Sequence, residues 1–90
     1  MAKADKGAIM LLEGKTAIVT GTGPNIGGEI ARTLAANGAN VVCLDVKEEQ
    51  AKTTADQIEK SGAKALAVAA DVSNPADVEK AVQAAVRHFG

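Results

Sequence analysis

The stretch IVTGTGPNIGGEIA, residues 18–31, leads from an apolar β-branched run through a cluster of glycines into a helical pattern. The run KTAIVT, residues 15–20, has the composition of a strand that is covered on both faces. After the glycines, Ile26, Ile30 and Leu34 recur at helical spacing. A strand that passes through such a turn into a helix leaves free backbone N–H groups at the helix start, where a pyrophosphate binds. The stretch therefore predicts a strand–turn–helix unit that binds phosphate groups.

The same alternation of strand and helix continues along the rest of the chain. Gly38 and Gly62 follow the first two helical patterns as stop signals, and Asn74 precedes the third as an N-cap. The alanine-rich segment 63–71 suits a helix as well as a strand by composition, and its place in the alternation decides for a strand. The further predicted elements are a strand over 39–46, a helix over 47–60, a strand over 63–71 and a helix that begins at Pro75.

The order β-α-β-α-β-α predicts an α/β fold, the first half of a Rossmann-type parallel sheet with helices on both faces. In the usual strand order the third helix covers the face opposite the first two, and a fourth strand would lie beside the first. Each helix has an apolar stripe at helical spacing, and the stripe of the third is expected to be its buried face. The stripes are Ile26, Ile30, Ala31, Leu34 and Ala35 in the first helix, Ala51, Ala55 and Ile58 in the second, and Val78, Val82, Ala85 and Phe89 in the third.

Composition limits the chain to one small domain. Its 90 residues are 47% hydrophobic but include one Phe and no Trp or Tyr, so Ala, Val, Leu and Ile must form the core. The single Cys43 excludes an internal disulfide, and with His88 as the one histidine no metal site is expected. Cys43 lies in an apolar strand and is expected to be a core residue rather than a reactive thiol. His88, near a helix end, is not expected to be a catalytic base.

Charge and the start of the chain exclude two classes of partner. A net charge of −1, with basic and acidic residues interspersed, offers no basic stripe for nucleic acid. Residues 1–10 are charged and interrupted by Gly7, unlike a signal peptide or a membrane span, so a cytoplasmic location without a membrane partner is expected. We expect residues 1–11 to form a flexible leader. Residues 12–90 are then the N-terminal half of the Rossmann-type domain, ending before the fourth strand.

An acidic residue after the second strand strengthens the prediction of a dinucleotide site. A glycine turn alone is weak evidence, because such turns also occur without a ligand. Asp45 lies at the end of the second predicted strand, where its carboxylate can accept hydrogen bonds from both hydroxyls of an adenosine ribose. The same charge repels a ribose 2′-phosphate, the glycine turn contains no Arg or Lys, and Lys47 is the only nearby base. These features favour NAD over NADP as the cofactor.

From about Leu12 to Gly90 the sequence resembles the N-terminal half of the short-chain dehydrogenases/reductases. The resemblance is carried by LEGKTAIVTG, NIGGEIARTLAANGANVV, LDV and ADVSNPADVEKAV, which follow the order and spacing of the family. The family's turn, T-G-x-x-x-G-x-G, falls on Thr20, Gly21 and Gly27, with Asn25 in place of the middle glycine. Asn adopts a left-handed backbone more readily than other non-glycine residues, and its amide can reach the cofactor. A turn-forming role and a cofactor-contacting role are both open for this residue.

The resemblance further implies that Asp71 and Val72, at the end of the third strand, flank the adenine, with the Asp71 carboxylate accepting from its amino group. Gly21 would permit the tight turn and Gly27 the close packing of the first helix on its strand, whereas Pro24 removes one N–H from the loop. The expected cofactor contacts are Gly21, Gly23, Asn25, Ile26, Gly27, Asp45, Val46, Asp71 and Val72.

The resemblance implies an enzyme that transfers a hydride between NAD(H) and an alcohol or ketone substrate and works as a homo-oligomer when complete. In the family a Tyr is the general acid/base, assisted by a Lys, a Ser and an Asn. This chain contains no Tyr and stops before the family's catalytic strands, so no catalytic residue is assigned and the segment alone is expected to be inactive. We favour the cofactor-binding half of a longer NAD-dependent oxidoreductase. The alternative is a short polypeptide that binds nucleotide or another protein without catalysis.

Overall fold

The structure, a computed structural model, describes residues 12–21 and 26–89. The predicted leader, residues 1–11, lies outside these ranges, and its extent stays a prediction. Strand and helix alternate as predicted, and each strand is one or two residues shorter at its ends than its sequence pattern. The elements are β1 (Thr16–Thr20), α1 (Ile26–Ala36), β2 (Asn40–Asp45), α2 (Glu48–Lys60), β3 (Ala65–Ala69) and α3 (Pro75–Phe89).

The three strands form one parallel sheet in the order β1-β2-β3. Ala17 of β1 pairs with Val41 of β2, which pairs in turn with Ala65 of β3, so the three strands run in step from their amino ends. A parallel sheet with helical crossovers confirms the predicted Rossmann-type architecture. The strand in the middle is the only one of the three with a neighbour on each side in the described part of the chain.

Side chains of β2 alternate between two apolar clusters, one on each face of the sheet. Val41 and Cys43 pack with the alanines of α1 and with Ile58 of α2. Val42 and Leu44 point to the other face, where they pack against α3. The third helix therefore covers the face opposite the first two, as predicted. The buried helix residues are Gly28, Ala31 and Ala35 in α1, Ala51, Thr54, Ala55 and Ile58 in α2, and Ala81 and Ala85 in α3.

Helix ends follow the signals seen in the sequence. Gly38 and Gly62 both adopt φ +99°, the left-handed conformation that ends α1 and α2. After α2, the backbone N–H of Ala63 donates to the carbonyl of Ile58 at 3.3 Å, which closes a Schellman-type cap. At the start of α3, Asn74 Oδ1 accepts a hydrogen bond from the N–H of Ala76 at 3.0 Å, as expected of an N-cap.

The prediction that the apolar stripe of α3 is its buried face was wrong for two of its residues, and the stripe of α1 is likewise buried only in part. Ile26 and Ile30 are exposed in α1, and Val78 and Val82 are exposed in α3, where the neighbouring Ala81 is buried instead. Small alanine side chains let a helix approach the sheet closely, and the larger residues then lie beside the line of contact. No helix in residues 12–21 and 26–89 is long and apolar enough to cross a membrane.

Coverage of the outer strands is also less complete than their composition predicted. Val19 of β1 is buried under α1, but Ile18, on the other face, is 40% exposed. The cluster around α3 takes its sheet residues from β2 and β3, and although α3 also contacts β1, it covers this face of β1 only in part. In β3 only Ala65 is buried, because β3 is an outer strand of the described sheet, with β2 as its one neighbouring strand there.

Replacing the glycine after α2 tests the stop signal. A Cβ on Gly62 would meet no atom within 4 Å, so Gly62→Ala is strained only by the left-handed backbone at φ +99°. We expect it to lower the free energy of unfolding by about 1 kcal/mol. Gly62→Asn should lower it less, since Asn tolerates this conformation. Urea unfolding followed by circular dichroism measures both, and an Ala variant as stable as the original chain would contradict the assignment.

Candidate functional site

The candidate site lies at the carboxyl-terminal edge of the sheet, where β1, β2 and β3 end. The register pairs Thr20 with Leu44 and Asp45 with Ala69, so the three strands reach this edge together. The N–H of Ala70 donates to the carbonyl of Asp45 at 3.0 Å, which extends the ladder one residue beyond β3. Neighbouring strands are about 4.8 Å apart. The structure thus brings the ends of β1, β2 and β3 to one edge, together with Gly21, Asp45 and Asp71.

Gly21 turns the chain directly after β1. Its φ of +65° lies in the left-handed region, which L side chains rarely adopt, so a glycine is favoured here for its backbone. The predicted contacts Gly23 and Asn25 lie outside the described residues, as does Pro24, and their roles stay predictions. The described residues continue from Ile26, the first residue of α1.

The first turn of α1 contains two adjacent glycines with different surroundings. Gly28 is buried, whereas Gly27, to which sequence analysis assigned close packing, is half-buried. The signal for Gly28 was the pair itself, because two glycines in a first helical turn are unfavourable unless something lies close to them. Ile26 is 76% exposed, which leaves its side chain free to contact a ligand at the helix start. Backbone N–H groups at such a start are unpaired within the helix and suit an anion.

The carboxylate of Asp45 is held at the end of β2 by the backbone that follows it. Its Oδ1 accepts a hydrogen bond from the N–H of Lys47 at 3.0 Å, and Lys47 is the N-cap residue of α2. The side chain of Asp45 is half-buried. Its second oxygen makes no hydrogen bond to the described residues. A carboxylate placed in this way offers acceptor positions at the edge of the sheet.

The carboxylate of Asp71 is held more firmly, by a serine two residues later. Its Oδ1 accepts hydrogen bonds from both the N–H and the hydroxyl of Ser73, at 2.9 and 2.6 Å. These bonds hold the pKa of Asp71 below its usual value of 3.8, because they stabilise the ionised form. The N–H of Asp71 itself donates to Asp77 Oδ2 at 3.0 Å. The sequence pattern did not predict the hydrogen bonds that Ser73 and Asp77 make to Asp71.

An exposed valine follows each of the two aspartates. Val46 is 66% exposed and Val72 is 53% exposed, although both are apolar. Each is therefore available as an apolar surface beside a carboxylate acceptor. That combination can hold a flat heterocycle by its faces while a carboxylate accepts from its polar edge.

Two other residues considered in the sequence lie away from this edge. Cys43 is fully buried in β2, and burial raises the pKa of its thiol from 9.0 to about 11, which confirms it as a core residue. His88 lies beside Asn40 and Ala65, the first residues of β2 and β3, and so at the opposite edge of the sheet. Its ring makes an edge-on contact with Phe89, with 4.8 Å between centroids. Within the described ranges, no group of three His, Cys, Asp or Glu residues could hold a metal ion.

Comparison with known proteins shows which family has this arrangement. The short chain dehydrogenase family model matches residues 15–90. A hydroxynaphthalene reductase-like protein Arp2 from Metarhizium robertsii is 44% identical over 80 residues, covering 88% of this chain and 30% of that protein. Versicolorin reductase stcU from Emericella nidulans is 42% identical, with the same coverage of each chain. The chain belongs to the short-chain dehydrogenase/reductase family, a family of oxidoreductases.

Solved structures agree with this membership. A hydroxysteroid dehydrogenase from Escherichia coli matches with a TM-score of 0.86 and 36% identity, over 90% of this chain and 34% of that one. A short chain dehydrogenase/reductase from Burkholderia phymatum, solved in complex with NAD, matches with a TM-score of 0.83 and 37% identity, over 88% of this chain and 28% of that one. The chain therefore spans about a third of the length of the proteins it matches.

The reactivity of Cys43 with a thiol reagent tests its position in the core. Because its pKa is raised from 9.0 to about 11, the thiolate fraction at pH 8 falls roughly 100-fold relative to the unfolded chain. We expect the native chain to react with DTNB at least that much more slowly than the chain in urea. The raised pKa also means that the free energy of unfolding decreases as the pH rises from about 9 to about 11. Cys43→Ala should remove this part of the pH dependence of the free energy of unfolding. Equal DTNB reaction rates for the native and unfolded chains would contradict the burial of Cys43.

Proposed function

We propose that this chain is the cofactor-binding part of an NAD(H)-dependent oxidoreductase that interconverts an alcohol and a ketone by hydride transfer. The observation that carries the proposal is the convergence of Gly21, Asp45 and Asp71 at one edge of a three-stranded parallel sheet. Related proteins support it, since one solved structure holds NAD and a 7α-hydroxysteroid dehydrogenase holds NADH with 7-oxo glycochenodeoxycholic acid. The proposal extends to a complete enzyme that works in the cytoplasm as a homo-oligomer.

The pyrophosphate, the ribose and the adenine of the cofactor each have a proposed partner along this edge. The pyrophosphate would lie at the turn after β1 and the start of α1, against Gly21, Gly23, Asn25, Ile26 and Gly27. The hydroxyls of the adenosine ribose would donate hydrogen bonds to the Asp45 carboxylate, which the backbone N–H of Lys47 holds in place. The adenine would lie beside Val46 and Val72 and donate from its amino group to Asp71.

The charge at Asp45 supports NAD rather than NADP. A carboxylate accepts from the 2′- and 3′-hydroxyls of an unmodified ribose, and it repels the 2′-phosphate of NADP. Lys47 is the nearest base in sequence, and its backbone N–H rather than its ammonium is what contacts Asp45.

The reacting groups of the proposed enzyme lie outside this chain. Hydride transfer is the cofactor's chemistry, and a protein must add a proton donor or acceptor beside the substrate oxygen. The sequence contains no Tyr, and its one His lies at the opposite edge of the sheet from the site. This chain's own contribution is therefore to bind and orient the adenosine diphosphate half of the cofactor.

Removing the carboxylate of Asp45 tests the ribose contact. Asp45→Ala removes acceptors for two hydroxyls, so we expect NAD binding to weaken roughly 10- to 100-fold in isothermal titration calorimetry. NADP binding should weaken less or become stronger, because the repulsion of its 2′-phosphate is lost. Asp56→Ala is the matched control, since Asp56 is an exposed aspartate of α2 paired with Lys52. Unchanged NAD affinity in Asp45→Ala would rule out this ribose site.

The intact mass of the protein isolated from its own cells tests the enzyme proposal. Because the chain covers 30% of the reductases it matches, we expect a polypeptide of about three times 9.1 kDa. Denaturing mass spectrometry measures this directly. A mass near 9.1 kDa would overturn the oxidoreductase proposal and favour a nucleotide-binding or interaction module without catalysis.

A further inference from the structure

The loop between β3 and α3 holds Asp71 by its side chain and also by its backbone. Ser73 donates twice to Oδ1, once from its backbone at 2.9 Å and once from its hydroxyl at 2.6 Å. The backbone of Asp71 is tied to α3 by its N–H bond to Asp77 Oδ2 at 3.0 Å. An exposed aspartate would otherwise rotate among its rotamers, so these hydrogen bonds hold the carboxylate of Asp71 in one orientation.

The two bonds from Ser73 leave the carboxylate with one unoccupied oxygen. An ionised carboxylate oxygen has two lone pairs, and both positions on Oδ1 are filled by donors from Ser73. Oδ2 accepts no hydrogen bond from the described residues. Asp71 therefore presents a single oxygen to a ligand, and that oxygen can accept a hydrogen bond but cannot donate one while the carboxylate is ionised.

We propose that Ser73 is a positioning residue that aims Asp71 Oδ2 at the base of the dinucleotide and makes the site select a base with an exocyclic amino group. This inference rests on the proposed function, because it assumes that the base lies beside Asp71. An amino group donates to the fixed oxygen, whereas a carbonyl oxygen at the same position of the ring places two acceptors against each other. Holding the carboxylate in advance also lowers the ordering cost when the ligand binds.

A purely structural role for Ser73 makes a different prediction. If its hydroxyl only shaped the loop, its loss would weaken binding of every dinucleotide equally. Ser73→Ala keeps the backbone N–H bond to Asp71 and the Asn74 cap of α3, so the loop retains most of its hydrogen bonds. Ser73→Thr keeps the hydroxyl and is the conservative control.

The test compares NAD with nicotinamide hypoxanthine dinucleotide, which has a carbonyl in place of the amino group. Both are titrated by calorimetry into the full chain and into Ser73→Ala and Ser73→Thr. We expect the original chain to prefer NAD, Ser73→Ala to lose about three- to tenfold of that preference, and Ser73→Thr to keep it. An unchanged ratio in Ser73→Ala, or equal affinities in the original chain, would overturn the inference while NAD binding itself upholds the proposed function. Binding of neither dinucleotide would overturn both.

A second measurement separates positioning from loop shape. The pKa of Asp71 is held below 3.8 chiefly by the Ser73 hydroxyl, so Ser73→Ala should raise it toward 3.8 and Ser73→Thr should keep it low. Carboxyl carbon NMR during acid titration reads this pKa directly. A pKa of Asp71 that does not rise in Ser73→Ala would show that the hydroxyl does not hold the carboxylate, and the inference would fail.

Discussion

Burial of β2 on both faces is the constraint on which the rest of this structure depends. Val41 and Cys43 lie in one apolar cluster and Val42 and Leu44 in the other, so the strand must be covered by helices on both sides. A strand in this position is also hydrogen-bonded on both edges, which fixes the registers of β1 and β3 relative to each other. The alignment of the three strand ends, and hence the site, follows from those registers.

The two aspartates of the site are anchored by the same local device. In each, Oδ1 accepts from the backbone N–H two residues later, at Lys47 for Asp45 and at Ser73 for Asp71. This short-range bond turns the chain away from the strand, and it leaves the second carboxylate oxygen outside the turn. An aspartate at the end of a strand can therefore both form this turn and accept a hydrogen bond from a ligand. Only the second aspartate has an added hydroxyl contact, from Ser73.

The order of elements and the face covered by each helix could be predicted because they depend on local signals and topology. Gly38, Gly62 and Asn74 mark helix ends through their own backbones or side chains, and the third crossover must return across the sheet. Which apolar residues are buried could not be predicted as well, because the stripe on α3 is wider than its line of contact. The contact of Ser73 with Asp71 was missed for a related reason. It depends on where the loop places the Ser73 hydroxyl, and the periodicity of the sequence gives no information on loop conformation.

Most of the buried helix residues are alanines, and this has a consequence for the entropy of folding. Ala31, Ala35, Ala51, Ala55, Ala81 and Ala85 are all buried. A buried alanine loses no rotamer freedom, whereas a buried leucine or methionine loses up to roughly 1–2 kcal/mol of it. Each alanine contact buries little apolar area, but almost none of the resulting free-energy gain is offset by lost side-chain entropy. In this part of the fold, close approach of the helix backbones to the sheet therefore contributes to order alongside the few large buried side chains.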